Sequence, residues 1–115
     1  MKIQNVKFML MAQDMDRGVA FYEALGLRAT TTSPYWSELV HGDAIVALHG
    51  GGSGEHTQTG LGMQVDDLEA AVAVVRGAGG TVVREPYPAE GVTLLLAELR
   101  DPEGNGFTLS QWTGE

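Results

Sequence analysis

The chain has 115 residues, no cysteine and a formal net charge of −8 at neutral pH. This length suits one ordinary domain with a real core, and the lack of cysteine excludes disulfides, thiolate nucleophiles and cysteine-ligated zinc. The acidic balance and the scattered basic residues argue against nucleic acid as a partner. We predict a cytoplasmic protein with no membrane partner, because the apolar start is interrupted by Lys7 and Asp14 and is too short for a secretory signal or a membrane span.

The first half of the chain predicts a strand, a helix and three further strands. Residues 6–11 form an apolar run of strand length, and Asp14 follows at a good position to cap a helix. That helix carries an apolar stripe at helical spacing and ends at Gly26, which suits the left-handed residue after a helix. The three further strands are predicted at residues 27–32, 35–40 and 44–49.

The second half repeats this order of elements. The glycine-rich residues 50–54 cannot easily pack or hold a fixed conformation, so they are the predicted start of a linker. A strand at residues 61–65 leads to a helix capped by Asp66 or Asp67. Three strands follow at residues 81–84, 92–99 and 106–111, with proline-containing turns at 85–86 and 101–105.

The two halves share one motif at a constant spacing. An acid, an apolar residue and a second acid open each helix, and a glycine ends it. Asp14 and Asp67 are 53 residues apart, as are Gly26 and Gly79. A repeat of about half the chain indicates two similar modules packed together. We therefore predict a single domain with module one at residues 1–50, a linker at 51–58 and module two at 59–115, and we expect function at the seam.

A resemblance to a known superfamily covers nearly the whole chain. It is carried by the helix at 14–26, which contains Phe-Tyr and ends in Leu-Gly, by the turn Asp-Pro-Glu-Gly-Asn at 101–105, and by residues 36–39 and 65–72. These segments resemble the vicinal oxygen chelate superfamily, which includes glyoxalase I, extradiol dioxygenases, fosfomycin-resistance enzymes and bleomycin-binding resistance proteins. The resemblance implies an α+β fold of two βαβββ modules that form a cupped half-barrel sheet around a ligand. It also implies a homodimer, in which both subunits often build each cup.

The metal-dependent members of that superfamily use His or Glu at four inward strand positions. The resemblance places these positions at Lys7, near Ala47, at Gly60 and near Thr108. A protonated lysine, two residues without donor atoms and a lone hydroxyl do not suit the usual cations. We therefore expect neither a metal nor a cofactor. The alternative is a displaced metal site at His49 and Glu38, since His49 follows Ala47 by two residues on the same strand face.

Without a metal, the predicted cup becomes a binding site. Side chains alternate between the two faces of a strand, so Met9 and Met11 are expected on the same face of the first strand as Lys7. Core packing is nevertheless the favoured interpretation for both methionines. Either Tyr35 or Trp36 is expected to stack on a flat ligand while the other faces the core. The predicted ligand-binding residues are Lys7, Met9, Tyr35, Trp36, Ala47, His49, Gly60, Glu98 and Thr108.

Lys7 has three possible roles. It is exposed or paired with an acid such as Glu98, or it binds a ligand carboxylate or phenolate. In a desolvated cup it would instead act as a base or an amine nucleophile, which makes it a catalytic candidate. Glu98 is either an inward polar group or the partner of Arg100 or Lys7.

The sequence thus favours a metal-free binding protein over an enzyme. Its expected partner is a small hydrophobic or aromatic molecule, such as an antibiotic or secondary metabolite that it sequesters. The alternative is a lyase, isomerase or dioxygenase that uses the displaced metal site or Lys7. A structural dimer without a ligand is the third possibility.

Overall fold

The computed structural model describes residues 1–114 and has the predicted order of elements, so the α+β fold of paired βαβββ modules is confirmed. Module one contains β1 (Lys7–Ala12), α1 (Met15–Leu25), β2 (Arg28–Thr31), β3 (Trp36–His41) and β4 (Ala44–Gly50). Module two contains β5 (Thr57–Gln64), α2 (Leu68–Gly77), β6 (Thr81–Pro88), β7 (Leu94–Arg100) and β8 (Asn105–Trp112).

Each module forms its own four-stranded sheet. Sheet 1 has the strand order β1-β4-β3-β2, and sheet 2 has the corresponding order β5-β8-β7-β6. The first and last strands of each module are parallel neighbours, and the other neighbouring pairs are antiparallel. The strands β1 and β5 therefore occupy equivalent edges of the two sheets.

Both helices begin at predicted caps. The Asp14 side chain accepts a hydrogen bond from the backbone N–H of Arg17, and the Asp67 side chain accepts one from that of Ala70. Gly26 ends α1 with a φ of 112°, in the left-handed region that glycine tolerates best. Within residues 1–114, neither helix has the length and apolar character needed to cross a membrane.

A single hydrophobic core joins the modules. The rings of Phe21 and Tyr22 on α1 lie with their centroids 6.0 and 6.4 Å from that of Phe107 on β8. On α2, the buried stripe consists of Leu68, Val72 and Val75. Each sheet thus has one face toward the helices and the core, and an opposite face, termed here the open face.

Two strands extend beyond their predicted limits. β6 continues through Glu85 and Pro86 instead of turning there, with a slip in its pairing to β7 between Arg84 and Tyr87. Because β6 is an edge strand, a proline costs it no ladder hydrogen bond on the outer side. β5 begins at Thr57, so the last two residues of the predicted linker belong to a strand.

The glycine-rich linker packs against the modules, contrary to the expectation that it would not hold a fixed conformation. The backbone N–H of Gly52 donates to the carbonyl of Ala12 at 3.0 Å. Gly104 has a φ of 96°, and a Cβ there would lie only 2.5 Å from the carbonyl oxygen of Glu55. This close approach requires glycine and ties the linker to module two.

The turn at residues 101–105 fastens module two to the start of α1. The Glu103 side chain is fully buried, and its Oε1 accepts hydrogen bonds from the backbone N–H groups of Gln13 at 2.9 Å and Asp14 at 2.6 Å. Its Oε2 accepts from Arg17 Nε at 2.6 Å, and this hydrogen bond raises the pKa of Arg17. One carboxylate therefore satisfies three donors of the other module.

Asp101 organises the same turn. Its Oδ1 accepts from the backbone N–H groups of Glu103 and Asn105, both at 2.9 Å, and its Oδ2 accepts from the Tyr22 hydroxyl at 2.5 Å. Burial, followed by the charge of Asp101, raises the pKa of Tyr22 well above its ordinary value of 10.0. Asn105 Nδ2 donates to the carbonyl of Met11 at 2.8 Å, so the turn also holds the end of β1.

We expect the substitution Glu103→Ala to lower the free energy of unfolding by about 2–4 kcal/mol, because it removes a buried carboxylate that accepts from two backbone N–H groups and from Arg17. Urea denaturation measures this change. The matched control is Glu85→Ala, which removes an exposed ion pair with Arg76 and should cost less than about 0.5 kcal/mol. Equal stabilities of the two variants would contradict the role given to Glu103.

Candidate functional site

The open face of sheet 1 brings several predicted site residues together. The strand register places Met9, Ala47 and Glu38 in one row across β1, β4 and β3. Met11, His49 and Trp36 form the next row along the strands. Because directly paired residues of neighbouring strands project to the same side, these side chains share a face with Lys7.

Glu38 holds this group together. Its Oε2 accepts hydrogen bonds from Lys7 Nζ at 2.8 Å and from the indole Nε1 of Trp36 at 2.7 Å. Lys7 Nζ lies 5.8 Å from the centroid of the Trp36 ring, and the imidazole of His49 meets that ring edge-on at 6.1 Å. The hydrogen bond from Lys7, followed by that from Trp36, lowers the pKa of Glu38 below its usual 4.5. Glu38 is therefore a carboxylate at neutral pH.

Lys7 has an acidic partner, but this partner is Glu38 and not Glu98. Glu98 lies on the open face of sheet 2, where its Oε2 accepts from the Tyr87 hydroxyl at 3.2 Å and lies 3.6 Å from Arg84 Nη1. Of the two alternatives for Glu98, the pairing with Lys7 or Arg100 is therefore wrong, and Glu98 is a polar group of the open face. The side chain of Lys7 remains 35 % exposed, so its ammonium can also reach a ligand.

Two expectations about core packing are wrong. Met9 and Met11 are 56 % and 44 % exposed, because they project from the open face and not toward the helices. Neither aromatic residue of the Tyr35-Trp36 pair enters the core. β3 begins only at Trp36, so Tyr35 lies in the preceding loop at 80 % exposure, and Ser37 takes the first buried position of the strand.

The four positions that the resemblance assigns to metal ligands do not form a ligand set. Lys7 is an ammonium donor bound to Glu38, and Ala47 is fully buried without a donor atom. Gly60 has no side chain, and Thr108 offers a single hydroxyl. These residues do not fit the cations used elsewhere in the superfamily. Among residues 1–114, no three His, Asp or Glu side chains are grouped so that they could hold a metal.

The displaced pair, His49 and Glu38, is close but incomplete. The Nδ1 atom of His49 lies 2.6 Å from the carbonyl oxygen of Gly50, which favours donation from that nitrogen and leaves Nε2 for other partners. The Oε2 atom of Glu38 is already occupied by Lys7 and Trp36. A cation there would need further donors from outside this face.

Sheet 2 contributes residues that the sequence-based prediction missed. A cavity of about 290 Å³ on its open face is lined in part by the predicted residues Glu98 and Thr108 and by Tyr87 and Arg100, which were not predicted. Tyr87 was missed because the predicted strand stopped at residue 84. Trp112 follows Thr108 and Ser110 on the same face of β8, where it pairs with Leu94. The predicted strand ended at residue 111. Continuing it by one residue would have placed this second tryptophan on the same face as Thr108 and Ser110.

We expect the substitution Lys7→Met to raise the pKa of Glu38 back toward 4.5, because it removes the main cause of the lowering. The ion pair exists at neutral pH and is lost as the pH falls through the lowered pKa of Glu38. The indole N–H signal of Trp36, followed by NMR during an acid titration, reports this step. The substitution Arg76→Met, on the outer surface of α2, is the control. A titration midpoint that is the same in wild type and Lys7→Met would contradict the assignment.

Comparison with known proteins gives a consistent result. Residues 7–110 match the family described as the glyoxalase-like domain. The chain is 32% identical to lactoylglutathione lyase from Haemophilus influenzae, over 89% of this chain and 87% of that protein. It is 33% identical to a probable lactoylglutathione lyase from Vibrio parahaemolyticus, over 90% and 86%. The crystal structure of a fosfomycin resistance protein from Listeria monocytogenes has a similar fold, with a TM-score of 0.79, 14% identity and coverage of 98% of this chain and 96% of that one.

Proposed function

Because the chain belongs to the glyoxalase-like domain family, which confirms the superfamily resemblance, we propose that it binds a small, partly aromatic or apolar molecule without a metal. One observation carries the proposal: Lys7, Ala47, Gly60 and Thr108 occupy the positions at which the resemblance expects metal ligands, and none of them offers an imidazole or a carboxylate. The proposed role is sequestration of an antibiotic or other secondary metabolite in the cytoplasm.

The chemistry of the open face of sheet 1 supports a flat ligand. Glu38 fixes the indole of Trp36 through its N–H, so the ring is held in place before a ligand arrives. Met9 and Met11 beside it are flexible and polarisable, which suits varied apolar shapes. Ala47, in register with Met9 and Glu38, is fully buried beneath its neighbours, so the exposed part of this face is formed by the longer side chains around it. Such a surface offers stacking and apolar contact, with Lys7 as the polar group at its side.

A second copy of the chain is the proposed partner. β1 carries exposed apolar side chains at Phe8, Met9 and Met11, and Val6 just before it is exposed as well. An apolar edge strand of this kind is normally covered in the assembled protein. We therefore propose a homodimer that covers β1. Sedimentation of the protein only as a 12.2 kDa monomer would contradict it.

We expect at least one compound from a panel of aromatic natural products to bind the protein in isothermal titration. Trp36→Leu should weaken that binding by roughly tenfold, because it removes the stacking surface. Val74→Ala, an exposed apolar site on α2, is the control and should leave affinity unchanged. No binding by any compound, together with turnover of a lyase or dioxygenase substrate, would refute the proposal.

A lyase is the second candidate function. Its support is the identity of about one third to proteins named lactoylglutathione lyase, which extends over most of both chains. In this protein a lyase would rely on Lys7, or on a cation held by His49 and Glu38 with further donors.

Metal analysis of freshly purified protein separates the two candidates. We expect far less than one zinc, iron, manganese or nickel ion per chain, because the family positions lack imidazole and carboxylate groups. The control is the same analysis of His49→Ala, which should give the same low value. Stoichiometric metal that is lost on His49→Ala, together with formation of lactoylglutathione, would establish the lyase and overturn metal-free binding.

A further inference from the structure

The basic residues of the strands gather on the open faces of an otherwise acidic protein. Register places Arg28 in line with Val40, Ile45 and Lys7 on sheet 1. On sheet 2, Arg84 is in line with Glu98 and Thr108, and Arg100 follows Glu98 by two residues on the same face. These are all the Lys and Arg residues of the eight strands. The open faces thus carry four of the seven basic residues of a chain with a net charge of −8, together with Glu38 and Glu98.

Arg100 stands out among these cations. Lys7 is held by Glu38, and Arg84 lies 3.6 Å from Glu98 with its guanidinium stacked 3.4 Å from the centre of the Tyr87 ring. Within residues 1–114, the Arg100 side chain takes part in no ion pair. The negative charge of Glu98 nearby is already matched by Arg84, so Arg100 is left with uncompensated positive charge.

The cavity of about 290 Å³ on sheet 2 lies beside Arg100. Gln58 and Thr108 line the same cavity and add an amide and a hydroxyl. Two glycines leave space around these groups. A Cβ at Gly62 would lie 3.1 Å from Thr108 Oγ1, and a Cβ at Gly106 would lie 2.8 Å from Gln58 Oε1.

Glu98 also lines the cavity, but Arg84 pairs with its charge, and the guanidinium, amide and hydroxyl beside it are the donors that a ligand carboxylate needs. A carboxylate accepts several hydrogen bonds and pairs with arginine through two parallel N–H donors. The cavity is at the small end of the range for ligand sites, so it suits an acidic group with a few carbons and not a whole drug-sized molecule. We propose that this cavity is the subsite for a carboxylate group of the ligand. The inference rests on the proposed function and deepens it, because it gives the partly aromatic ligand an acidic end.

Phenylacetate and phenylacetamide test the subsite, because they have nearly the same shape and differ in charge. In NMR titrations of the 115-residue chain, phenylacetate is expected to bind at least tenfold more tightly than phenylacetamide and to shift the Arg100 Nε–H signal. Arg100→Gln should abolish the preference for phenylacetate, and Arg100→Lys should restore part of it. Arg76→Gln, which removes an exposed arginine from α2, is the matched control and should leave the preference unchanged.

Equal affinity of the wild-type protein for the two probes would overturn the subsite while leaving the proposed function intact, because a neutral aromatic would still bind. Equal effects of Arg100→Gln and Arg76→Gln would overturn it too, since the preference would then reflect overall charge. Failure of both probes to bind at millimolar concentration would also overturn the subsite. The natural-product titration with Trp36→Leu decides the proposed function separately.

Discussion

The buried carboxylate of Glu103 determines how the two modules meet. A carboxylate inside a protein is stable only when its lone pairs are satisfied, and Glu103 receives two backbone N–H groups and one guanidinium from the other module. Asp101 binds Tyr22 from the same turn, and Asn105 binds the carbonyl of Met11. The end of β1 and the start of α1 are thereby fixed against sheet 2, and with them the direction in which the other side chains of β1 project.

The features that the sequence predicted correctly are those that depend on residues close together in the chain. Capping by Asp14 and Asp67 and the left-handed Gly26 depend on a few neighbouring residues, so both helices were placed correctly. The partner of Lys7 was not found, because Glu38 reaches it across the intervening β4 and only the strand order reveals this contact. Tyr87 was missed because the proline at 86 was interpreted as a turn, whereas an edge strand accommodates it.

The two modules place a glutamate at the same point of their open faces. Glu38 pairs in register with Ala47, and Glu98 pairs with Thr108, so each acid lies one strand away from a position where the resemblance expects a metal ligand. Both are committed to a basic partner and to an aromatic donor, Trp36 in module one and Tyr87 in module two. The faces thus carry ion pairs that orient aromatic rings, which suits stacking and charge recognition better than cation coordination.

The seam between the modules is held by many contacts and crossed only once by the chain. Phe21 and Tyr22 pack against Phe107, and the linker lies against β1 through the hydrogen bond from Gly52 to Ala12. Each half alone would expose this aromatic surface and would leave Glu103 without its donors. The two halves therefore carry complementary surfaces joined by a single stretch of chain, which is the property that split-protein complementation requires.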